Sequence, residues 1–190
     1  MPPRPSVAAR AREHILDAAV ASLAAQGAAA LAMHDVAARA EVSKGLIHYH
    51  YRDKDALLAA SAGRLAARID HRARSALAGS TTERAMDDLA RWIASEVAAG
   101  EWRALVALAT WPAPAVSKAA RQGIAEQQAG VTTMLARLFG LLGLEPRIAL
   151  PQIAELVGAA VSGIAASAMD ETGMRTATDV LALALIGLAR

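Results

Sequence analysis

Apolar residues recur at helical spacing along most of the chain, and its sequence contains no run of alternating β-branched residues. In the first segment, Ile15, Ala19 and Leu23 are four residues apart and therefore share one face of a helix. We predict this helix over residues 8–26, with Gly27 as its C-terminal stop. The pattern thus predicts an all-α fold.

Glycine, proline and aspartate residues divide the rest of the chain into further helices. Thr82 is placed to cap the helix that ends at residue 99, and Pro151 to open a later one. The other predicted spans are residues 54–78, 101–111, 116–142, 151–169 and 178–189, with a turn over 170–173. Including two short helices before residue 53, the sequence predicts about nine helices, three in a head (residues 1–53) and six in a body (residues 54–190).

The two short helices are predicted between Met33 and Tyr51. Val36, Ala37 and Ala40 form the apolar face of the first, and Ser43 offers a side-chain oxygen to cap the second.

In the second helix, Ile47 and Tyr51 are four apart and can pack inward. The side chains left to point outward are Lys44, Leu46, His48 and Tyr49. A short helix that shows such residues to solvent fits the major groove of DNA, which is about 12 Å wide and admits one α-helix. The pattern is typical of a helix-turn-helix, in which the second helix reads bases.

The stretch V-A-A-R-A-E-V-S-K-G-L-I-H-Y-H-Y-R-D-K-D-A-L-L, Val36 to Leu58, closely resembles the DNA-binding domain of the tetracycline-repressor (TetR) family of bacterial regulators. Three positions depart from the family pattern. Glu41 replaces the usual turn glycine, His48 replaces a tyrosine, and Ala32 stands where Ser or Thr caps the first motif helix.

The resemblance implies roles for individual residues. Lys44, Gly45 and Leu46 occupy positions that approach base edges, and Tyr49, His50 and Lys54 occupy positions that hold phosphates. His34, at the start of the first motif helix, is placed to reach a base or a phosphate. The full set of expected DNA-binding residues is His34, Ser43, Lys44, Gly45, Leu46, His48, Tyr49, His50 and Lys54.

Charge is distributed unevenly along the chain. Residues 1–75 hold eleven Lys/Arg against seven Asp/Glu, whereas residues 76–190 hold nine against eleven. A basic first part on a slightly acidic remainder fits a nucleic-acid-binding head on a separate body, although an imbalance this small also arises by chance.

The start M-P-P-R-P-S-V-A-A-R lacks the apolar core of a signal peptide, and we expect a disordered basic arm there. No run reaches the roughly 18 uncharged apolar residues that a membrane span needs. There is no cysteine and hence no disulfide framework. We expect a soluble, cytoplasmic protein with no membrane partner.

The last two predicted helices are apolar on every side, as in the run V-L-A-L-A-L-I-G-L-A. Such helices must be buried all round, so we expect them to pair with those of a second copy in a four-helix interface. The alternative is that they lie at the centre of a single chain. The expected interface residues are Val157, Val161, Ile164, Leu181, Leu185 and Leu188.

Large side chains are scarce in the alanine-rich body. They can line an apolar cavity, or they can simply fill core space that alanine leaves empty. The family resemblance favours the cavity, because similar proteins bind a small organic effector in the body. The expected effector-binding residues are Met86, Trp92, Trp102, Trp111, Met134 and Phe139.

Neither an enzyme nor a metal protein is indicated. There is no G-x-S-x-G motif and no phosphate-cradling glycine loop, and the pair Asp87-Asp88 is most simply solvated. His48 and His50 are two apart and diverge by about 200° on a helix, so they cannot share an ion. We expect no catalytic residue, no metal and no cofactor.

The sequence therefore predicts a homodimeric, ligand-responsive transcriptional regulator, most simply a repressor. It would release a palindromic operator when a small organic effector binds its C-terminal domain. Two rival hypotheses are a DNA-binding architectural protein without an effector, and an all-α ligand carrier or enzyme.

Leu46 generates a first testable prediction. A leucine cannot hydrogen-bond to a purine edge, but it can pack against the C5-methyl of thymine; the alternative is that it turns inward to support the head. If Leu46 reads thymine, replacing one thymine per half-site by uracil should weaken binding by up to about 1 kcal/mol. Leu46→Ala should abolish this sensitivity at an almost unchanged melting temperature. A large fall in melting temperature with the uracil effect intact would instead assign Leu46 to the core.

Overall fold

The computed structural model describes residues 7–167 and 169–190, and within these ranges the secondary structure consists of nine α-helices without a strand. The all-α prediction is therefore confirmed. The predicted basic arm falls largely on residues 1–6, which lie outside the described residues. The helices are α1 (Val7–Ala30), α2 (Met33–Arg39), α3 (Lys44–His50), α4 (Lys54–Ala76), α5 (Ala85–Ala99), α6 (Glu101–Ala109), α7 (Pro114–Leu142), α8 (Leu150–Ala166) and α9 (Glu171–Gly187).

The chain divides into two compact units. The first contains residues up to Leu65 together with Ala104–Gly123, and the second contains Ala66–Arg103 and Ile124–Arg190. Helices α4, α6 and α7 thus contribute residues to both. The described part of the predicted head lies in the first unit, which extends beyond residue 53 into α4.

In the first unit, α1, α2 and α3 pack on one another. Ile15, Ala19 and Leu23 are buried, which confirms the predicted inward face of α1. Gly27 breaks the helix with φ 80° and ψ 169°, a conformation that favours glycine, and a short helical segment then follows to Ala30.

A buried ion-pair network ties together three helices of the second unit. Arg72 of α4 donates from Nε to Glu96 Oε1 (2.6 Å), from Nη2 to Glu96 Oε2 (2.8 Å) and from Nη1 to Glu101 Oε2 (2.7 Å). Arg68 adds a second contact to Glu101 at 3.0 Å. Glu96 lies on α5 and Glu101 begins α6, so the network fixes both helices to α4.

The charges in this network balance one another. Burial disfavours the charged form of Arg72, but the hydrogen bonds and attraction of Glu96 and Glu101 outweigh burial and raise the pKa of Arg72 above its ordinary value. Trp102 also donates from Nε1 to Glu96 Oε2 at 2.9 Å. Its ring lies directly on Gly158 of α8, where an added Cβ would come within 3.1 Å of Cη2.

Two predicted helix starts are wrong. Thr82 does not cap α5, because its hydroxyl donates to the Leu141 carbonyl at 2.9 Å, and α5 begins at Ala85 without a side-chain cap. Residues 170–173 are not a free turn. Asp170 instead caps α9 by accepting from the Gly173 backbone N–H at 2.8 Å, so that α9 starts seven residues earlier than predicted.

Gly130 provides a test of packing between α4 and α7. A Cβ there would lie 2.9 Å from the Asp70 carbonyl oxygen and closer still to the Asp70 carboxylate. Gly130→Ala should therefore lower the free energy of unfolding by about 1–3 kcal/mol, measured by urea denaturation.

The matched control lies on the same helix. A Cβ at Gly140 meets nothing within 4 Å, so Gly140→Ala should raise the free energy of unfolding by about 0.5–1 kcal/mol. Equal effects of the two substitutions would contradict the close approach at Gly130.

Candidate nucleic-acid interface

The turn between α2 and α3 is held by backbone and side-chain hydrogen bonds. Val42 N–H donates to the Ala37 carbonyl at 3.0 Å, and the Ser43 hydroxyl accepts from Leu46 N–H at 3.2 Å. The predicted cap at Ser43 is therefore confirmed. At the other end of the motif, Ala32 precedes α2 as its N-cap residue and provides no side-chain cap, as the sequence indicates.

Glu41 adopts the left-handed conformation that this turn requires. Its φ of 55° makes it the one non-glycine residue with positive φ within the described ranges. This is the position at which glycine is usual in the resembling family, so the turn keeps its conformation although the residue differs.

Helix α3 has one buried face and one exposed face. Ile47 and Tyr51 are buried, as predicted, while Lys44, Gly45 and His48 are exposed. Tyr49 is the most exposed large hydrophobic side chain of the motif, at 78%. The exposed face therefore combines a cation, an imidazole and a phenol, groups that can donate hydrogen bonds to phosphate oxygens or base edges.

Leu46 is half-buried in α3. This exposure suits both of its predicted roles, thymine contact and support of the head. Its reading of DNA stays a prediction.

Tyr51 anchors α3 to the first unit. Its ring lies 5.8 Å from the Arg12 guanidinium carbon, and burial raises the pKa of its hydroxyl above the ordinary value. His50, beside it, is half-buried and meets the Tyr49 ring edge-on at 5.1 Å between centroids. Its Nε2 is buried and, among the described residues, has no hydrogen-bond partner.

Lys54 makes contacts within the first unit. Its Nζ donates to the Ala29 carbonyl at 3.1 Å and lies 5.5 Å from the centroid of the Trp111 ring. An ammonium has three N–H donors, so the phosphate contact expected for Lys54 remains a prediction that uses the remaining two. Trp111 also donates from Nε1 to Asp55 Oδ1 at 2.9 Å.

Other charged residues flank the motif. His34 is exposed at the start of α2, with Nε2 3.0 Å from Asp35 Oδ1. Arg52 follows α3 with its side chain almost fully exposed and pairs with Asp53 at 2.9 Å. The sequence-based set of expected DNA-binding residues does not include Arg52, although it is an exposed arginine two residues after the end of α3.

The residues predicted to bind an effector are divided between the two units. Trp111 lies in the first unit, whereas the other five lie in the second. Trp102, Met134 and Phe139 are buried, Trp102 being held by Glu96 and Gly158, and Met86 is half-buried.

Trp92 lines a cleft between α4 and α5, which we call the α4–α5 cleft. Its volume is about 350 Å³. The cleft is lined by His71, Arg72, Ser75, Ala76, Asp88, Arg91, Trp92 and Ser95.

Helices α8 and α9 pack on each other and on α5 within the second unit. Four of the residues predicted for a dimer interface are buried there within their own chain: Val157, Val161, Leu181 and Leu185. Ile164 and Leu188 are half-buried. The same two helices expose other apolar residues, namely Leu156 (52%), Val180 (59%) and Leu183 (65%).

No group of three or more His, Cys, Asp or Glu side chains among the described residues is arranged to hold a metal ion. None of their helices has both the length and the apolar character of a membrane span.

Comparisons with known proteins agree with this architecture. The family of bacterial regulatory proteins named tetR matches residues 15–61, which run from α1 into α4. Among curated proteins, none matches the chain significantly.

Solved structures share the fold along nearly the whole chain. The reduced form of E. coli NemR is 17% identical with a TM-score of 0.73, over 95% of this chain and 97% of that chain. Salmonella enterica GusR is 18% identical with a TM-score of 0.72, over 98% of both chains. SmeT in complex with triclosan is 21% identical with a TM-score of 0.61, over 95% of this chain and 92% of that chain. At these identities the similarity establishes the fold.

The conformation of Glu41 leads to a stability prediction. The left-handed conformation destabilises a non-glycine residue by about 1–2 kcal/mol, whereas glycine loses about 0.5–1 kcal/mol of folding free energy through its greater backbone entropy in the unfolded chain. Glu41→Gly should therefore raise the free energy of unfolding by about 0.5–1 kcal/mol, measured by thermal or urea denaturation. Glu41→Val should lower it, because a β-branched residue tolerates positive φ worst. If the Glu41→Val variant were as stable as the Glu41→Gly variant, the left-handed conformation assigned to residue 41 would be wrong.

Proposed function

We propose that this chain, a member of the TetR family of bacterial regulatory proteins, is a homodimeric repressor that releases a palindromic operator when a small organic effector binds its C-terminal part. Membership in this family makes it a DNA-binding regulator of transcription and not an enzyme.

One observation carries the proposal. The capped helix α3 buries Ile47 and leaves Lys44, His48 and Tyr49 on an exposed face. A helix of this kind, preceded by a short helix and a tight turn, has the dimensions and donors needed to read the major groove. In this proposal the base edges are met by Lys44, Gly45 and Leu46. Phosphates are held by Tyr49, His50, Arg52 and Lys54. The other residues of the DNA-binding surface are His34, Ser43 and His48.

The exposed apolar residues of α8 and α9 support a dimer. Leu156, Val180 and Leu183 present a surface that a second copy of the same chain would cover, giving a four-helix interface about a two-fold axis. Two related copies of α3 would then meet two half-sites about one DNA turn apart. This surface would be supported by the buried side chains of the same two helices: Val157, Val161, Leu181 and Leu185.

An effector site in the second unit is supported by the α4–α5 cleft. SmeT, which shares the fold, is known in complex with triclosan, so this architecture can accommodate a small organic molecule. Release of DNA requires that the effector bind one conformation of the dimer more tightly than the other.

DNA binding can be tested by selecting duplexes from random DNA with the full chain and measuring affinity against salt. Lys44→Ala should weaken binding to the selected duplex more than to unrelated duplexes, because in this proposal Lys44 meets a base edge. A uniform loss with a log-affinity versus log-salt slope smaller in magnitude by about one would show that Lys44 meets a phosphate instead. Arg137→Ala removes an exposed cation from the second unit and should change neither quantity. Failure to enrich any duplex, or binding insensitive to salt, would refute the proposal.

The dimer surface can be tested with an arginine at Leu183. This exposed position tolerates arginine in a lone chain but would bury an unpaired charge between two copies. Leu183→Arg should sediment as a folded monomer with unchanged helix content. Leu185→Arg should unfold the chain as well, because Leu185 is 1% exposed.

The control is Val106→Arg, which changes an exposed apolar residue on α6 and should leave the dimer intact. A dimer of unchanged affinity in Leu183→Arg would place the interface elsewhere.

A further inference from the structure

The α4–α5 cleft is built by facing stripes of two helices. His71, Arg72 and Ser75 lie within one turn of α4, and Asp88 and Trp92 are one turn apart on α5. Its volume of about 350 Å³ is at the lower end of the range for small-molecule sites. The cleft therefore suits a small ligand, whose chemistry follows from the groups on its walls.

The one carboxylate on these walls is already paired within the chain. Asp88 is the one carboxylate among the described residues that line the cleft. Its Oδ2 accepts from the Ser80 hydroxyl and its Oδ1 from Arg91 Nη1 at 2.5 Å. The hydrogen bond from Ser80 holds the pKa of Asp88 below its ordinary value, so this carboxylate is ionised and satisfied at neutral pH.

The donors, by contrast, are in excess. Trp92 is only 5% exposed, and its indole Nε1 has no hydrogen-bond partner among the described residues. Arg72 gives three of its five N–H groups to Glu96 and Glu101, which leaves two. The Ser75 hydroxyl and the His71 imidazole add further polar groups on the α4 side. A buried unpaired donor is unfavourable, so a ligand that brings acceptors is favoured.

We propose that the α4–α5 cleft binds a small carboxylic acid as the effector, an inference that rests on the proposed function. A carboxylate brings about four acceptor sites in a plane and no donor, which suits the two remaining N–H groups of Arg72 and the N–H of Trp92. An amine brings donors to a site whose one carboxylate, Asp88, is already paired with Arg91 and Ser80, and a primary amide adds two donors for a single acceptor oxygen.

Arg72 links this site to the fold. It is the residue that fastens α4 to both Glu96 on α5 and Glu101 on α6. An acid that accepts from the remaining N–H groups of Arg72 places a third carboxylate on the same guanidinium as Glu96 and Glu101, and this changes how firmly α4 is held. Binding of the acid is thereby coupled to the position of α4, the helix that follows the DNA-reading motif.

The test uses the full chain and three acids: benzoate, cyclohexanecarboxylate and 1-naphthoate. Each is compared by isothermal titration calorimetry with its own primary amide, and benzoate also with benzylamine. At least one acid should bind ten or more times more tightly than its amide, and benzylamine should not bind. The same acid should weaken binding to the selected operator duplex.

Two variants locate the site. Ser75→Leu fills the cleft from an exposed position and should abolish acid binding, whereas Ala67→Leu, at an exposed position of α4 outside the cleft, should leave it unchanged. Trp92→Phe removes the indole N–H and should weaken acid binding several-fold while the melting temperature stays equal or rises. A merely structural role of Trp92 would lower the melting temperature instead.

The proposal is overturned if no acid binds more tightly than its amide, or if Ser75→Leu binds acid as well as the parent chain. Operator affinity is measured separately without any acid. A chain that binds its operator but no acid refutes this inference alone, and a chain that binds no DNA refutes the proposed function.

Discussion

The second unit depends on two buried carboxylates, Glu96 and Glu101, and on the half-buried guanidinium of Arg72 that pairs with both. Glu96 is fully buried, so its charge is tolerable only while Arg72 and Trp102 supply three hydrogen bonds to it. Removing one partner of such a pair costs about 3–5 kcal/mol, because the remaining charge has no water to solvate it. The relative positions of α4, α5 and the start of α6 are therefore set by charge pairing as well as by apolar packing.

The three tryptophans differ in the hydrogen bonds that their indole nitrogens make, and only Trp102 belongs to this network. Trp102 is fixed at its indole nitrogen by Glu96 and at its ring by Gly158, so it holds α8 in place. Trp111 is fixed by Asp55 in the first unit. Among the three, Trp92 alone combines a buried ring with an unpaired N–H beside a cleft, considering the residues that the structure describes. The three tryptophans therefore have different structural roles although their sequence contexts in this alanine-rich chain are similar.

The motif was predictable because its determinants are local. The spacing of Ile47 and Tyr51, the cap at Ser43 and the break before it are all encoded within a dozen residues. Predictions from the sequence failed where a partner distant in the chain determines the role of a residue. Thr82 looks like a cap, but its hydroxyl is taken by a carbonyl at the end of α7. The apolar run of α9 does not reveal that Leu185 faces inward while Leu183 faces out, because both positions are leucine.

Gly130 limits how α4 can move. At this point α7 and Asp70 of α4 meet without a side chain between them, and close packing resists sliding one helix along the other. A rigid α4 that pivoted at this contact would swing its far end through an arc. Lys54, at the opposite end of the same helix, is sixteen residues away, or roughly 24 Å at 1.5 Å per residue. A tilt of about 5° near the buried network would therefore move the first turn of α4 by roughly 2 Å, a displacement comparable with the shifts by which regulated proteins change state.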